Sequence, residues 1–195
     1  MHRFMLLVGL GTSLLAASAC DEPRPPQTRA ARAGDLEALR TLLDGGLDVS
    51  APDSEDGWPP LFHAVGMRQA DAVLLLIARG ANPNQRVDRL APLELAAAQA
   101  DPAMVRLLLA HGADINARGP DGSTAFSVAV SGGALTDADL PLLGGCHEAT
   151  VRALLAHDPT LRLGNSFAGR RALWIARIHN CREILDLIKA DDPVR

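Results

Sequence analysis

One short pattern occurs three times in the chain, at intervals of 34 and 32 residues. It reads GLDVS from Gly46, GANPN from Gly80 and GADIN from Gly112. Each copy follows a segment such as 105–109, whose apolar residues at i, i+3 and i+4 predict a helix with one buried face. A glycine directly after such a helix is typical of a left-handed C-cap. The pattern therefore predicts repeated helical units, in which these glycines end the second helix of each unit.

The same register extends over the rest of the chain. The units can be aligned on one alanine each, which precedes the second helix of the unit: Ala30, Ala64, Ala96, Ala129 and Ala176. The residues ending at the last four are PPLFHA, APLELA, TAFSVA and RALWIA. They resemble the T-P-L-H-x-A core of the ankyrin repeat, whose period is about 33 residues. A helix pair of this kind cannot cover both of its apolar faces alone, so neighbouring units must stack.

The resemblance implies an all-α fold, an ankyrin-repeat solenoid of about five helix-turn-helix units with short β-turn fingers. The domain is expected to cover residues 30–192. Its units are expected at about 28–53, 54–85, 86–118, 119–165 and 166–192. We expect the last helix to close the stack with a polar outer side, because a terminal repeat needs one. The turns that start the next fingers are expected at Asn84 and Asn116, because asparagine favours turns.

The composition agrees with a helical fold and argues against a nucleic-acid ligand. Aromatic residues make up only 3% of the 195 residues and tyrosine is absent, so the core must consist of aliphatic side chains and alanine. The net charge is −4, with acidic and basic residues mixed. Binding to a phosphate backbone needs a basic stripe, and the sequence contains none. We therefore expect no nucleic-acid partner.

Residues 1–19 have the composition of a signal peptide. A short positive start at Arg3 is followed by an apolar run from Phe4 to Leu15 and by small residues up to Ala19. The run is too short to span a bilayer comfortably, which takes about 20 residues. A buried helix of the folded domain is the alternative interpretation. We expect the chain to be exported.

Cys20 follows the small residues, and LLAASAC resembles the lipobox of bacterial lipoproteins. That resemblance implies lipidation of Cys20 and attachment to the periplasmic face of the inner or outer membrane. Ala17 stands where the family usually has leucine, and ordinary signal peptidase could cut the same bond to leave a soluble periplasmic protein. Residues 20–29 are rich in proline and polar residues, which suits a tether. Any contact with the membrane is expected only through this N-terminal lipid.

The fourth unit contains an inserted loop at 132–145, bracketed by paired glycines. Long loops in compact domains are often functional, whereas a tolerated surface insertion is the simpler interpretation. Cys146 follows the insertion, and Cys181 has almost the same place in unit five. We predict a disulfide between them, although neighbouring units stack about 10 Å apart, beyond the usual Cα separation. His147 and His179 lie close to these cysteines in sequence, so a zinc site has to be considered. The spacing of the four residues does not suit zinc ligands, and we predict no metal.

The sequence predicts neither an enzyme nor a cofactor site. It contains no H-E-x-x-H, no G-x-S-x-G and no phosphate-binding glycine loop. The repeat register accounts for nearly all of its serine, histidine and aspartate residues; His63, His111 and His157, for example, fall at positions expected to be ordinary surface or turn residues. An open stack provides a groove and no deep cavity for acid–base chemistry. We expect no catalytic residue and no small-molecule substrate.

The resemblance implies a protein partner that binds the finger tips and the exposed side of the inner helices. Transferred by register, the partner-binding residues are Glu55, Asp56, Trp58, Met67, Val87, Asp88, Leu90, Gln99, Asp121, Ser123, Phe167, Arg170, Ile178 and His179. Trp58, Leu90 and Phe167 are predicted to form an exposed apolar row on the fingers, with Trp58 the best candidate for a hot spot. The alternative is that these side chains pack against the neighbouring finger.

The predicted surface also has a charge gradient. Asp53, Glu55 and Asp56 lie at the first finger, whereas Arg170, Arg171 and Arg177 lie at the last unit. A partner would be oriented from end to end, and its association rate would fall with salt. We predict a protein-binding module of the cell envelope. Two narrower possibilities stay open, an immunity protein or inhibitor that blocks a secreted toxin or envelope enzyme, and a scaffold for such an enzyme.

Overall fold

A computed structural model describes residues 24–133 and 145–190, which form ten helices in five antiparallel pairs. The helices are α1 (Pro26–Ala33), α2 (Leu36–Asp44), α3 (Pro60–Gly66), α4 (Ala70–Ala78), α5 (Pro92–Ala98), α6 (Pro102–Ala110), α7 (Ala125–Val130), α8 (Glu148–His157), α9 (Phe167–Ile178) and α10 (Arg182–Ala190). Within the described residues there is no strand, and the only β-bridge joins Val87 and Leu90 in a finger. The predicted all-α solenoid is confirmed.

The odd-numbered helices form the inner layer of the stack and the even-numbered helices form the outer layer. Each inner helix packs against the inner helix of the next unit, from α1 on α3 through to α7 on α9. The core between them consists of alanine, leucine and valine, with Phe62 and Phe126 the largest fully buried side chains. Stacking in one direction therefore leaves the finger side of every unit facing the same way.

Two turns recur in each unit, and the sequence register locates both. Gly46, Gly80 and Gly112 have φ between 87° and 95°, which confirms their left-handed role after the outer helices. In the turn between the two helices, the residue four positions after the unit's aligned alanine also has positive φ in every unit: Gly34, Arg68, Ala100, Gly133 and Asn180. Only two of these five are glycine, so the tertiary fold imposes the conformation on the others.

The turn that starts each finger uses different side chains from those predicted. Asn82 and Asp114 accept hydrogen bonds from the backbone N–H two residues later, at Asn84 and Asn116. Asn84 instead joins two units, since its Oδ1 accepts from the Asp114 N–H at 2.7 Å and its Nδ2 donates to the Gly112 carbonyl at 2.9 Å. The predicted asparagines thus belong to the turn, but the side chain of Asn84 forms hydrogen bonds to the next unit.

Helix α1 begins four residues before the predicted start of the domain. Pro26 occupies its first turn, where a missing backbone N–H costs nothing, so the end of the predicted tether at 26–29 is helical. The signal peptide and Cys20 lie outside the described residues, as does the middle of the insertion at 134–144. The ends of the insertion meet: a Cβ added to Gly132 would lie 2.2 Å from the Gly145 carbonyl oxygen.

Candidate partner-binding surface

The predicted partner-binding residues lie on the finger side of the stack, and none of them is fully buried. Eight are exposed: Glu55, Asp56, Met67, Asp88, Asp121, Phe167, Arg170 and Ile178. Six are half-buried: Trp58, Val87, Leu90, Gln99, Ser123 and His179. Gln99 also joins two units, because its Nε2 donates to the Gly66 carbonyl at 2.9 Å.

The exposed apolar row predicted along the fingers is not formed. Trp58 lies against Phe62 and His63, with ring centroids 5.7 Å apart in both cases. Val87 and Leu90 also pack against the core, and they bond to each other through the finger backbone. Trp58 therefore packs within its own unit and Leu90 packs against the core, whereas the alternative interpretation places them against the neighbouring finger. Phe167 alone of the three is exposed.

The acidic first finger is held by an arginine from the N-terminal segment. Arg24 Nη1 lies 2.8 Å from Asp53 Oδ2 and 3.1 Å from Asp56 Oδ2, and the same guanidinium pairs with Glu55. Asp53 was predicted as a surface charge, but its side chain is fully buried. The charge gradient predicted from sequence is thus weaker at its acidic end, because Arg24 neutralises part of it.

His63 lies inside the same cluster, which corrects the prediction of an ordinary surface or turn histidine. Arg32 Nη1 is 3.1 Å from His63 Nδ1, and a guanidinium can only donate, so Nδ1 accepts and the neutral ring carries its proton on Nε2. Nε2 lies 3.5 Å from Asp53 Oδ2 and 3.3 Å from Asp56 Oδ1, without the alignment of a hydrogen bond. Burial lowers the pKa of His63, and Arg32 adds to that effect against the two carboxylates.

This cluster is the one place in the described residues where at least three side chains could converge on a metal ion. One ligand atom each from Asp53, Asp56 and His63 lie within 4.8 Å of one another. Arg24 already bonds to both carboxylates, however, and a metal on Nε2 would force the Nδ1 proton towards the Arg32 guanidinium. The arrangement favours an internal ion-pair network over a metal centre.

Cys146 and Cys181 form the predicted disulfide. Their Cα atoms are 5.4 Å apart, within the usual range for a disulfide. Cys146 lies just before α8 and Cys181 just before α10, so the bond joins the outer helices of units four and five. Both thiols are consumed, which removes the ligands of the zinc site considered above. His147 instead points Nδ1 at the Ala97 carbonyl, 3.4 Å away.

The largest exposed apolar side chains of the last unit form a stripe along α9. Phe167, Trp174 and Ile178 follow one another at spacings of seven and four residues, which places them on one helix face. Sequence analysis included Phe167 and Ile178 but missed Trp174. In units two to four the corresponding residues are buried, so the repeat pattern contains no signal that Trp174 is open.

The geometry so far defines the class of the protein as a helical-repeat solenoid with one open, finger-lined side. Family models of ankyrin repeats match the chain at residues 5–87, as three copies, and at residues 88–120, as one repeat. Together these matches cover more than half of the chain, and the chain belongs to the ankyrin repeat family. The first match begins inside the segment that the sequence assigns to a signal peptide.

The relatives found by sequence are ankyrin proteins and larger proteins of several kinds. The human transient receptor potential cation channel subfamily A member 1 is 35% identical over 51% of this chain and 9% of its own length. Zygote-specific protein 3 of Chlamydomonas reinhardtii is 36% identical over 58% of this chain and 32% of its own length. An ankyrin repeat-containing protein of Treponema pallidum (strain Nichols) is 38% identical over 50% of this chain and 33% of its own length. The chain therefore spans a third or less of these relatives.

Ankyrin repeats form protein–protein interaction modules and are generally not catalytic. Among the described residues, no helix is both long and apolar enough to cross a membrane.

Proposed function

We propose that the chain is an exported module that binds a protein partner in the bacterial cell envelope through the finger side of its stack. One observation carries this proposal. The five units stack with their inner helices in one continuous line, so the finger tips and the ends of the inner helices lie on one side. Exposed residues from every unit after the first are available to a partner on that side, from Glu55 in unit two to Arg170 in unit five.

The chemistry of this side suits a partner with both polar and apolar contacts. Met67 is an exposed apolar side chain at the end of α3, and Asp88 and Asp121 are exposed carboxylates at two finger tips. Burial acts to raise the pKa of Asp121, but hydrogen bonds from Ser123 and the charge of Arg171 outweigh it and lower that pKa. The finger tip therefore presents a carboxylate at neutral pH, whose backbone position is fixed by its own turn.

The disulfide supports the exported location that the signal peptide predicts, because disulfides persist in oxidising compartments. We propose that Cys20 carries the lipid and that the segment after it holds the stack off the membrane. Metabolic labelling with a fatty-acid analogue tests this. The full chain should become labelled and the Cys20→Ser variant should not. Cleavage before Cys20 without labelling would instead establish the soluble periplasmic form.

The binding surface is tested with a matched pair of apolar-to-acidic substitutions. Met67→Glu changes the proposed surface, whereas Leu74→Glu changes a similarly exposed apolar residue on the outer helix α4. The native chain and both variants would be cross-linked in their own envelope membranes, purified and quantified by mass spectrometry. We expect one partner to be recovered with the native chain and Leu74→Glu, and to fall at least about tenfold with Met67→Glu.

These variants are preferable to a truncation of Trp58. That side chain packs on Phe62 and His63, so its removal would disturb the fold as well as the surface. Circular dichroism of both glutamate variants controls for folding. Equal recovery of the partner with Met67→Glu and the native chain would show that the finger side is not the binding surface.

A further inference from the structure

Helix α9 exposes a large apolar side chain at a position that is buried in units two to four. Trp174 lies two residues before Ala176, the alanine on which unit five is aligned with the other units. The residues at the same place in units two to four are Phe62, Glu94 and Ser127. Those three residues are 0%, 1% and 5% exposed. Trp174 is 54% exposed. The position is therefore buried in units two to four and open in unit five.

The uncovered face is broad and apolar. Phe167 and Ile178 lie on the same side of α9 as Trp174 and are exposed to a similar degree. Together the three side chains present roughly 350 Å² of surface, given about 150–250 Å² for a fully exposed large side chain. A contiguous apolar patch of that size on a soluble protein is often a binding site. We call these three residues the α9 stripe.

The other end of the stack shows what a closed end looks like in this protein. The exposed residues of α1 are Pro26, Arg29 and Ala33, which are small or charged. Helix α10 also has a polar outer side, with Arg182, Glu183 and Asp186 exposed, as predicted for a cap. Only α9 departs from this pattern. The α9 stripe is thus a local exception in a molecule that otherwise ends in polar surface.

The charges around the stripe indicate the kind of occupant. Arg170 and Arg177 are exposed on α9, and the Arg171 guanidinium lies 5.9 Å from the centre of the Phe167 ring. A second copy of the chain would bring two such arginine clusters together. An acidic partner would be attracted instead.

We propose that the α9 stripe docks an amphipathic helix of a partner protein, with small apolar residues on one side and Asp or Glu flanking them. The partner helix would take the place that the inner helix of a sixth unit would occupy. This proposal rests on the proposed function in taking the partner to be a protein. Phe167 and Ile178 are among the partner-binding residues predicted from sequence, and the proposal adds Trp174, which joins them in one apolar face of α9.

The first test asks whether the stripe is open in the protein in solution. The chain has two tryptophans, so Trp58→Phe leaves Trp174 as the only one and Trp174→Phe leaves Trp58. Acrylamide should quench the fluorescence of the first variant more strongly than that of the second. Equal or weaker quenching of Trp174 would show that the chain itself covers the stripe, and would overturn the proposal.

The second test uses two synthetic helical peptides with the same alanine- and leucine-rich face. One is flanked by glutamates and the other carries lysines at the same places. Binding of the labelled peptides to the full chain is followed by fluorescence anisotropy. We expect the acidic peptide to bind saturably and at least about tenfold more tightly than the basic peptide, with an affinity that falls as salt rises.

Substitution separates the stripe from the finger side. Trp174→Ser introduces the residue that unit four has at this register position and should weaken the acidic peptide at least about tenfold. Met67→Ser, at another exposed apolar residue, should leave it unchanged. Absence of saturable binding, equal binding of both peptides, or equal effects of the two substitutions would each overturn the proposal.

Two further outcomes distinguish the competing explanations. A dimer in light scattering that Trp174→Ser abolishes would identify a second copy as the occupant and would overturn the acidic helix. Loss of the envelope partner with Met67→Glu but not with Trp174→Ser, together with no peptide binding, would leave the proposed function standing and remove this inference alone. The reverse result would move the binding surface from the fingers to the end of the stack.

Discussion

Breaking the bond between Cys146 and Cys181 is expected to loosen the C-terminal end of the stack and leave its first units intact. The two cysteines are 35 residues apart in sequence, and a closed loop of that size gives about 4 kcal/mol of stabilisation in the chain-entropy account. This value is a ceiling, because residual structure in the reduced, unfolded chain lowers it.

The loss should be local because the units contact only their neighbours. Helix α10 packs against α9 and α8, and α9 packs against α7 on its other side. In a solenoid, stability is close to a sum of unit and nearest-neighbour contributions. Without the disulfide, α9 and α10 keep only those non-covalent contacts, whereas α3 and α5 keep a full neighbour on both sides.

Hydrogen exchange read by mass spectrometry measures this directly. In the Cys146→Ser/Cys181→Ser variant, amide protection in α9 and α10 should fall by up to about three orders of magnitude, the equivalent of about 4 kcal/mol. Protection in α3 should change little. The same measurement on the native chain with a reductant keeps both side chains, and Cys20→Ser controls for the loss of a thiol outside the pair.

Two results would refute this reasoning. Unchanged protection in α9 and α10 would show that the disulfide adds nothing beyond the packing of the helices. An equal loss in α3 and α9 would show that the five units unfold as one cooperative body, so that a bond at one end stabilises the whole.

Three further predictions follow from buried groups and backbone strain. The lowered pKa of His63 means that the folded protein favours the neutral ring. The resulting contribution to the free energy of unfolding is fully present above the ordinary histidine pKa of 6.5 and is lost as the pH falls towards the lowered pKa of the folded state. Urea unfolding at about pH 7.5 and about pH 5.5 should therefore show the native chain losing stability relative to His63→Gln; parallel curves would contradict this. Burial raises the pKa of Glu94, although its carboxylate accepts hydrogen bonds from the Ala91 N–H and from Arg86. The contribution of Glu94 to the free energy of unfolding is therefore fully present below pH 4.5 and is lost as the pH rises through the raised pKa. The native chain should gain stability relative to Glu94→Gln between about pH 7 and about pH 4.5, and a constant difference would exclude the effect. Ala100 has a φ of 54°, so Ala100→Gly should raise the midpoint of urea unfolding by an amount equivalent to about 1 kcal/mol, whereas the same change at the exposed helical position 156 should lower it.

The repeat register explains why so much of the fold could be predicted from sequence. Helix caps, turn glycines and buried alanines recur at fixed spacing, and each recurrence tests the same local physics again. Gly46, Gly80 and Gly112 therefore took the predicted conformation. The disulfide was predicted from the matching places of two cysteines, although the distance between ideal units argued against it. The insertion that precedes Cys146 marks where unit four departs from that ideal spacing.

The site was harder to predict because exposure depends on contacts that no local pattern encodes. Trp58 and Leu90 stand at finger positions that are often open, yet here they pack against the core. Asp53 and His63 form an ion-pair cluster only because two arginines about 30 residues earlier reach them, Arg24 from the N-terminal segment and Arg32 from α1. Trp174 shows the opposite error, since a position that is buried in three units becomes open in the fifth.

The disulfide and the α9 stripe explain each other. A terminal unit lacks the neighbour that stabilises an internal unit, and the usual compensation is a polar outer face that needs no cover. Unit five has that polar face only on α10, while α9 exposes the three apolar side chains of the α9 stripe. A covalent bond to unit four offsets part of the missing contact without covering the stripe, because it lies at the start of the outer helices. The end of the stack can therefore stay folded while its apolar face remains accessible to a partner.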